Sequence, residues 1–224
     1  MEYKRVTIVC GHYGSGKTNV ALNMAYELKK QGKDVTIADL DIVNPYFRTK
    51  DSIDELNALG IKLICSEYAG SNLDIPALPD EMYAVIDDKS RYFVLDIGGD
   101  DRGALALGRL APSILNEGNY SMVAIINKFR PLTRDTASTV EVLREIEYAG
   151  GINFTGIINN SNLGEDTEPN DIIGSFDYAK SVATAMDLPV VATSVNENLC
   201  DKVWEKVKNP FKIKLQNSLY KKEC

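Results

Sequence analysis

At 224 residues and 44% apolar content, the chain is long enough for one substantial core, and residues 1–224 are read as a single α/β domain rather than two. A net charge of −7 and a pI near 4.9 give no global attraction to nucleic acid or to an anionic membrane, so neither is expected as a partner. The four cysteines, Cys10, Cys65, Cys200 and Cys224, show no CxxC spacing, and His12 is the only histidine; a Cys/His metal site has almost no ligands to draw on, and reduced thiols are expected.

The N-terminal MEYKRVTIVC reads as running directly into a strand, Arg5 to Cys10, rather than into a signal peptide. No uninterrupted apolar run exceeds Met122 to Ile126, far short of a membrane span, so a cytoplasmic location is expected. After the strand comes GHYGSGKTN, Gly11 to Asn19, in which Gly11, Gly16, Lys17 and Thr18 satisfy G-x-x-x-x-G-K-[ST] between an apolar strand and a helix. In such a loop the glycines let backbone N–H groups face phosphates, and the helix N-terminus adds partial positive charge. Gly11, His12, Tyr13, Gly14, Ser15, Gly16, Lys17, Thr18 and Asn19 are therefore candidate nucleotide-binding residues, with Lys17 bridging the β and γ phosphates and Thr18 holding Mg²⁺. The helix behind the loop carries Val20, Ala21, Met24 and Leu28 on one face, Lys29 and Lys30 in its last turn, and Gly32 as its stop.

A second strand, Asp34 to Asp39, runs into Asp39-Leu40-Asp41-Ile42-Val43-Asn44-Pro45. Two acids separated by one residue point the same way on an extended chain, so both can face the crevice at the strand ends. One carboxylate could order Mg²⁺ through its water while the other orients or activates the water that attacks a γ-phosphate. Ser66 to Asp80, with Gly70, Pro76 and Pro79, is the loosest stretch, and a loop of that length in a domain is often functional. The third strand, Tyr92 to Ile97, ends in YFVLDIGGD; a hydrophobic strand closed by an acid is the Walker B arrangement, and Asp96 is a candidate for the Mg²⁺ shell. The glycines after it can sense a γ-phosphate and move when it leaves.

The strand Ser121 to Asn127 leads into INKFRPLTRD, Ile126 to Asp135, which begins like the guanine-reading N-K-x-D. Arg130 stands where the required Asp would be and has no acceptor to offer, so GTP specificity through this motif is not expected. A helix is predicted over Arg134 to Tyr148, with Val140, Leu143 and Ile146 at helical spacing before Gly150 and Gly151. Two further strands, Phe154 to Asn159 and Pro189 to Ser194, complete an alternation of buried strands and amphipathic helices. That alternation predicts βαβ units and a mostly parallel sheet in a three-layer α/β/α P-loop NTPase fold. In the C-terminal NPFKIKLQNSLYKKEC, Phe211 to Leu215 alternates with period two, which a membrane-surface helix would not do; a tail docked on the body is predicted, and membrane targeting is not.

The order G-x-x-G-x-G-K-T, D-x-D-x-x-N and hydrophobic-D-x-G-G resembles the MinD/ParA-type P-loop ATPases, the CobQ/CobB/MinD/ParA nucleotide-binding family, over essentially the whole chain. The resemblance implies an ATPase that hydrolyses ATP to ADP, with Mg²⁺, as a conformational or partner switch. It implies catalytic roles for Lys17 and Asp41, with Asp41 positioning the hydrolytic water, and a Mg²⁺ shell drawn from Thr18, Asp39 and Asp96. TGIINNSN, Thr155 to Asn162, is similar to the strand end from which members present an asparagine to adenine; either Asn159 or Asn160 could do so, and Asn160 is favoured. The family's signature lysine at the second loop position is replaced by His12, followed by Tyr13 where a glycine is usual. Imidazole is shorter than the lysine stem but can donate to phosphate from either nitrogen, so a nucleotide-dependent homodimer stays an open expectation beside an unknown protein partner. Two other readings remain: an ATP-dependent ligase of the dethiobiotin synthetase/CobB type, with Ser66 to Asp80 and Tyr46 to Arg48 lining a carboxylate pocket, and a related metallochaperone GTPase. Arg130 and the missing CxxC or His cluster count against the latter.

Overall fold

The computed structural model describes residues 1–40, 50–65, 80–99 and 101–216. In chain order these form β1 Val6–Cys10, α1 Lys17–Lys30, β2 Val35–Leu40, α2 Lys50–Ala58, β3 Lys62–Cys65, α3 Asp80–Asp87, β4 Tyr92–Ile97 and α4 Asp101–Glu117. They continue with β5 Tyr120–Ile126, α5 Thr136–Gly150, β6 Gly156–Asn159, α6 Pro169–Ile173, α7 Phe176–Met186, β7 Val190–Asn196, α8 Cys200–Val203 and β8 Pro210–Ile213. The strands make one eight-stranded sheet in the order β3-β2-β4-β1-β5-β6-β7-β8. Every adjacent pair is parallel, as the strand–helix alternation required.

Successive strand residues pack on opposite faces. Ile8, Leu95 and Met122 join α3, α4, α5 and α7 through Met82, Leu107, Leu110, Leu143 and Val182. Val9, Ile37, Val94 and Ile125 join Val20, Met24 and Leu28 of α1 and Leu56 of α2. The sheet is thus the middle of three layers, and β1 and β2 are buried along their whole lengths because both faces are covered. The chain leaves β1 toward β2 on one side and later crosses from β4 over β1 to β5 on the other. This reversal opens a crevice at the carboxyl end of β1, where ligands of such sheets bind.

The structure adds elements that were not predicted individually, among them the edge strands β3 and β8 and the helices α2, α3, α4, α6, α7 and α8. The helix predicted over 134–148 begins at Thr136, because the Asp135 side chain caps it by accepting from the Ser138 N–H at 2.9 Å; it ends at a left-handed Gly151, φ 63°. The period-two segment becomes β8, burying Phe211 and Ile213 and exposing Lys212. Beyond it the chain is held to α1: the Asn23 amide donates to the Lys214 carbonyl at 3.0 Å and accepts from its N–H at 2.9 Å, and the Asn19 side chain accepts from the Gln216 N–H at 3.1 Å. Residues 217–224 lie outside the described residues.

At the amino end of the sheet, away from the crevice, Arg5 is 5% exposed and donates to the carbonyls of Ile86, Asp88, Arg91 and Val85 at 2.6, 3.0, 3.1 and 3.3 Å. Its Nε and Nη2 also donate to the two oxygens of Glu117, locking β1 to α3 and α4. Among the described residues, no helix is long and apolar enough to cross a membrane.

Candidate phosphate-binding site

β1 is central and rigid, so the loop that follows it, 11–16, is held at the mouth of the crevice. Gly16 closes the loop at φ 88°, in the left-handed region open to glycine, and turns the chain into α1. The first turn of α1 carries no acidic side chain, so the positive end of its dipole faces the crevice without internal compensation. Lys17, 4% exposed, and Ser15, fully buried, sit at this junction. Among the described residues the Ser15 hydroxyl has no hydrogen-bond partner.

Strand alternation supplies the acids. Ile37 and Val94 pack on the α1 side of the sheet, and two residues further along the same face stand Asp39 and Asp96. The two are direct register partners across β2 and β4, with Asp39 7% exposed and Asp96 fully buried. The Thr18 hydroxyl donates to Asp96 Oδ2 at 2.6 Å. Thr18, Asp39 and Asp96 thus converge beside the loop, and their hard oxygens suit Mg²⁺. Among the described residues no three His, Cys, Asp or Glu side chains gather into a metal cage. A cation here would be completed by phosphate oxygens and water, the usual coordination of Mg²⁺ at phosphate sites. Asp41, Tyr46 to Arg48, Ser66 to Pro79 and Asp100 lie outside the described residues. Cys10, next to the loop, is a free thiol pushed up by burial, which agrees with a small core residue.

The end of β4 touches the loop directly. A Cβ on Gly99 would overlap the Gly11 carbonyl oxygen and stand 2.9 Å from His12 Cα, so only glycine lets the two backbones approach this closely. The strand bearing Asp96 is thereby in contact with the phosphate loop, a relation the GG pair hinted at without showing its partner.

The asparagines after β6 are turned inward. Asn160 is 1% exposed; its Nδ2 donates to the Ser15 carbonyl at 2.6 Å, and its Oδ1 accepts from Ser194 Oγ and, at 3.1 Å, from Asn162 Nδ2. Asn159 is fully buried, donating to Ser175 Oγ at 2.8 Å and accepting from the Ser161 N–H at 3.3 Å. Asn160 braces the loop through the Ser15 carbonyl, and Asn159 holds the residue that precedes α7 through Ser175. Burial is the reason: with both amides buried, leaving them unpaired would cost more than bonding them internally.

His12 and Tyr13 stand at the loop crest, with Tyr13 56% exposed. His12 Nδ1 lies 3.0 Å from the Tyr13 carbonyl. A carbonyl only accepts, so Nδ1 carries the proton and Nε2 alone is left to meet a ligand.

Comparison with known proteins agrees with this geometry. Residues 6–169 match the model of the CobQ/CobB/MinD/ParA nucleotide binding domain. No curated protein matches the sequence. Among solved structures, the chain is similar to a nucleotide-binding protein from Archaeoglobus fulgidus in complex with ADP, at 16% identity and TM-score 0.52 over 88% of this chain and 84% of that one. It is also similar to FtsY from Mycoplasma mycoides, at 14% identity and TM-score 0.54 over 87% of this chain and 61% of that one. FlhF complexed with GTP/Mg(2+) is similar at 12% identity and TM-score 0.50 over 84% of this chain and 64% of that one. The chain spans less than two thirds of the FtsY and FlhF chains. At these identities the likeness is one of fold.

Proposed function

We propose that this chain, which belongs to the CobQ/CobB/MinD/ParA nucleotide-binding domain family and is a P-loop nucleotide-binding protein, hydrolyses ATP to ADP in the presence of Mg²⁺ as a conformational or partner switch. The observation that carries this reading is the convergence of Thr18, Asp96 and Asp39 beside a loop that opens a helix whose first turn holds no acidic residue of its own. The ADP and GTP/Mg(2+) held by the similar folds support a nucleotide and a divalent cation at the same loop.

In this reading the backbone of 11–18 cradles the phosphates, and Lys17 neutralises and orients them. Bound Mg²⁺ supplies charge compensation at the phosphate oxygens, and Thr18, with Asp39 and Asp96, holds it directly or through water. Asp41 follows Asp39 by two residues and orients the attacking water: its oxygen bonds to the γ-phosphorus, the bond to the ADP oxygen breaks, and the water's proton passes toward the carboxylate or the released phosphate. Gly99, resting on Gly11 and His12, transmits loss of the γ-phosphate to β4 and α4. The body should act in the cytoplasm with a protein partner, and closure of two copies over their nucleotides is the form such a switch would take.

The test is ATP and GTP hydrolysis with Mg²⁺ for wild type and Asp41→Ala, with size exclusion in the presence and absence of ATP. Slow ATP hydrolysis that disappears in the variant, with a dimer trapped by ATP, supports the switch. Hydrolysis that requires an added small carboxylate argues for a ligase instead.

A further inference from the structure

Arg130 lies along the phosphate loop. A Cβ placed on Gly14 would meet Arg130 Nε at 3.5 Å, Cδ at 3.6 Å and Cζ at 3.8 Å, so the Arg130 side chain lies beside the loop, about one methyl group away from Gly14. Its backbone is held by a buried asparagine: the Arg130 N–H donates to the Asn127 carbonyl at 3.1 Å, and the Phe129 N–H to Asn127 Oδ1 at 3.0 Å. The Thr133 hydroxyl donates to the same carbonyl at 2.9 Å, and Pro131 opens a 3-10 turn behind it. The turn is fixed while the side chain is exposed.

We infer that Arg130 is a second phosphate-contacting cation of this site, closing over the bound triphosphate in cis while Lys17 holds it from within the loop. A guanidinium stays charged at any working pH and presents a planar fork of donors that matches two phosphate oxygens. A polyphosphate seated on the loop carries several negative charges. Gly14 lies midway along that loop, so the guanidinium is within reach of a phosphate seated there. The inference rests on the nucleotide-binding reading above.

The test is binding of Mg-ATP and of Mg-tripolyphosphate, which has no base or ribose, to wild type, Arg130→Ala and Arg130→Lys by calorimetry. Arg130→Ala is expected to weaken both ligands by about tenfold or more, and Arg130→Lys, which keeps the charge and loses the fork, to recover part of that loss. The unliganded melting temperature should not move, because the side chain is exposed. Unchanged affinity for both ligands overturns the inference. So does weakened ATP binding with tripolyphosphate unaffected, which would place Arg130 on the base. Failure of wild type to bind either ligand would remove the nucleotide reading itself, a separate outcome.

Discussion

The Thr18 hydroxyl donates to Asp96 at 2.6 Å, tying the first turn of α1 to the end of β4, and Asp39 stands beside Asp96 in register across β2. These groups can serve a cation only together. Thr18→Ala should therefore reduce the gain in ATP affinity that Mg²⁺ confers by about tenfold or more. Titration of ATP in Mg²⁺ and in EDTA checks it: the wild type should show a large difference between the two conditions and the variant a small one.

Gly99→Ala would drive a methyl into the Gly11 carbonyl and against His12 Cα, both backbone, so nothing flexible can yield. The expected cost is about 1–3 kcal/mol, a fall of several degrees in melting temperature at about 2–4 °C per kcal/mol. Nucleotide binding should be lost as well, since the methyl displaces the loop. Calorimetry of unfolding and of ADP binding on the same sample reads both effects.

Asn160 donates to the Ser15 carbonyl, and its role as a brace predicts a particular pattern. Asn160→Ala should destabilise the fold by about 1–3 kcal/mol, because it strips partners from buried groups. It should also weaken ATP, GTP and tripolyphosphate by similar factors. Competition binding with the three ligands is the measurement; a loss confined to ATP would restore the base-reading role.

Acid stability should depend on Arg5 and Glu117. The Arg5 hydrogen bonds hold the Glu117 carboxyl below the usual carboxylate range, against the opposing effect of burial and with help from Lys89. The folded state therefore releases this proton more readily than the unfolded chain. The stabilisation is fully present above the ordinary carboxylate value of about 4.3, and it fades as pH falls through the lowered folded value. Glu117→Gln should lower stability at neutral pH by about 3 kcal/mol or more, by leaving Arg5 buried without its countercharge. It should also flatten the decline in denaturant midpoint between about pH 5 and pH 3. Midpoints measured across that range for both proteins check the sign.

The parallel three-layer fold was legible because its strands are nearly continuous apolar runs separated by helical periodicity. The loop was legible because glycine, lysine and threonine at fixed spacing have few other uses. What local pattern could not carry was the direction of side chains across the sheet. Nothing in TGIINNSN shows that Asn160 reaches the Ser15 carbonyl, since burial of that amide depends on β6 lying two strands from β1. Arg130 read only as a missing Asp, and its place beside Gly14 follows from a turn that Asn127 holds. β3 escaped notice because KLIC is four residues long at the sheet edge, too short for periodicity to register.

The most direct test of the central claim is phosphate release from Mg-ATP by wild type and by Lys17→Ala, with ATP binding measured on both. Wild type is expected to bind Mg-ATP and release phosphate slowly, and Lys17→Ala to lose that release, with nucleotide affinity reduced by at least about tenfold. Equal phosphate release by the two proteins, or no ATP binding by wild type, would contradict the claim.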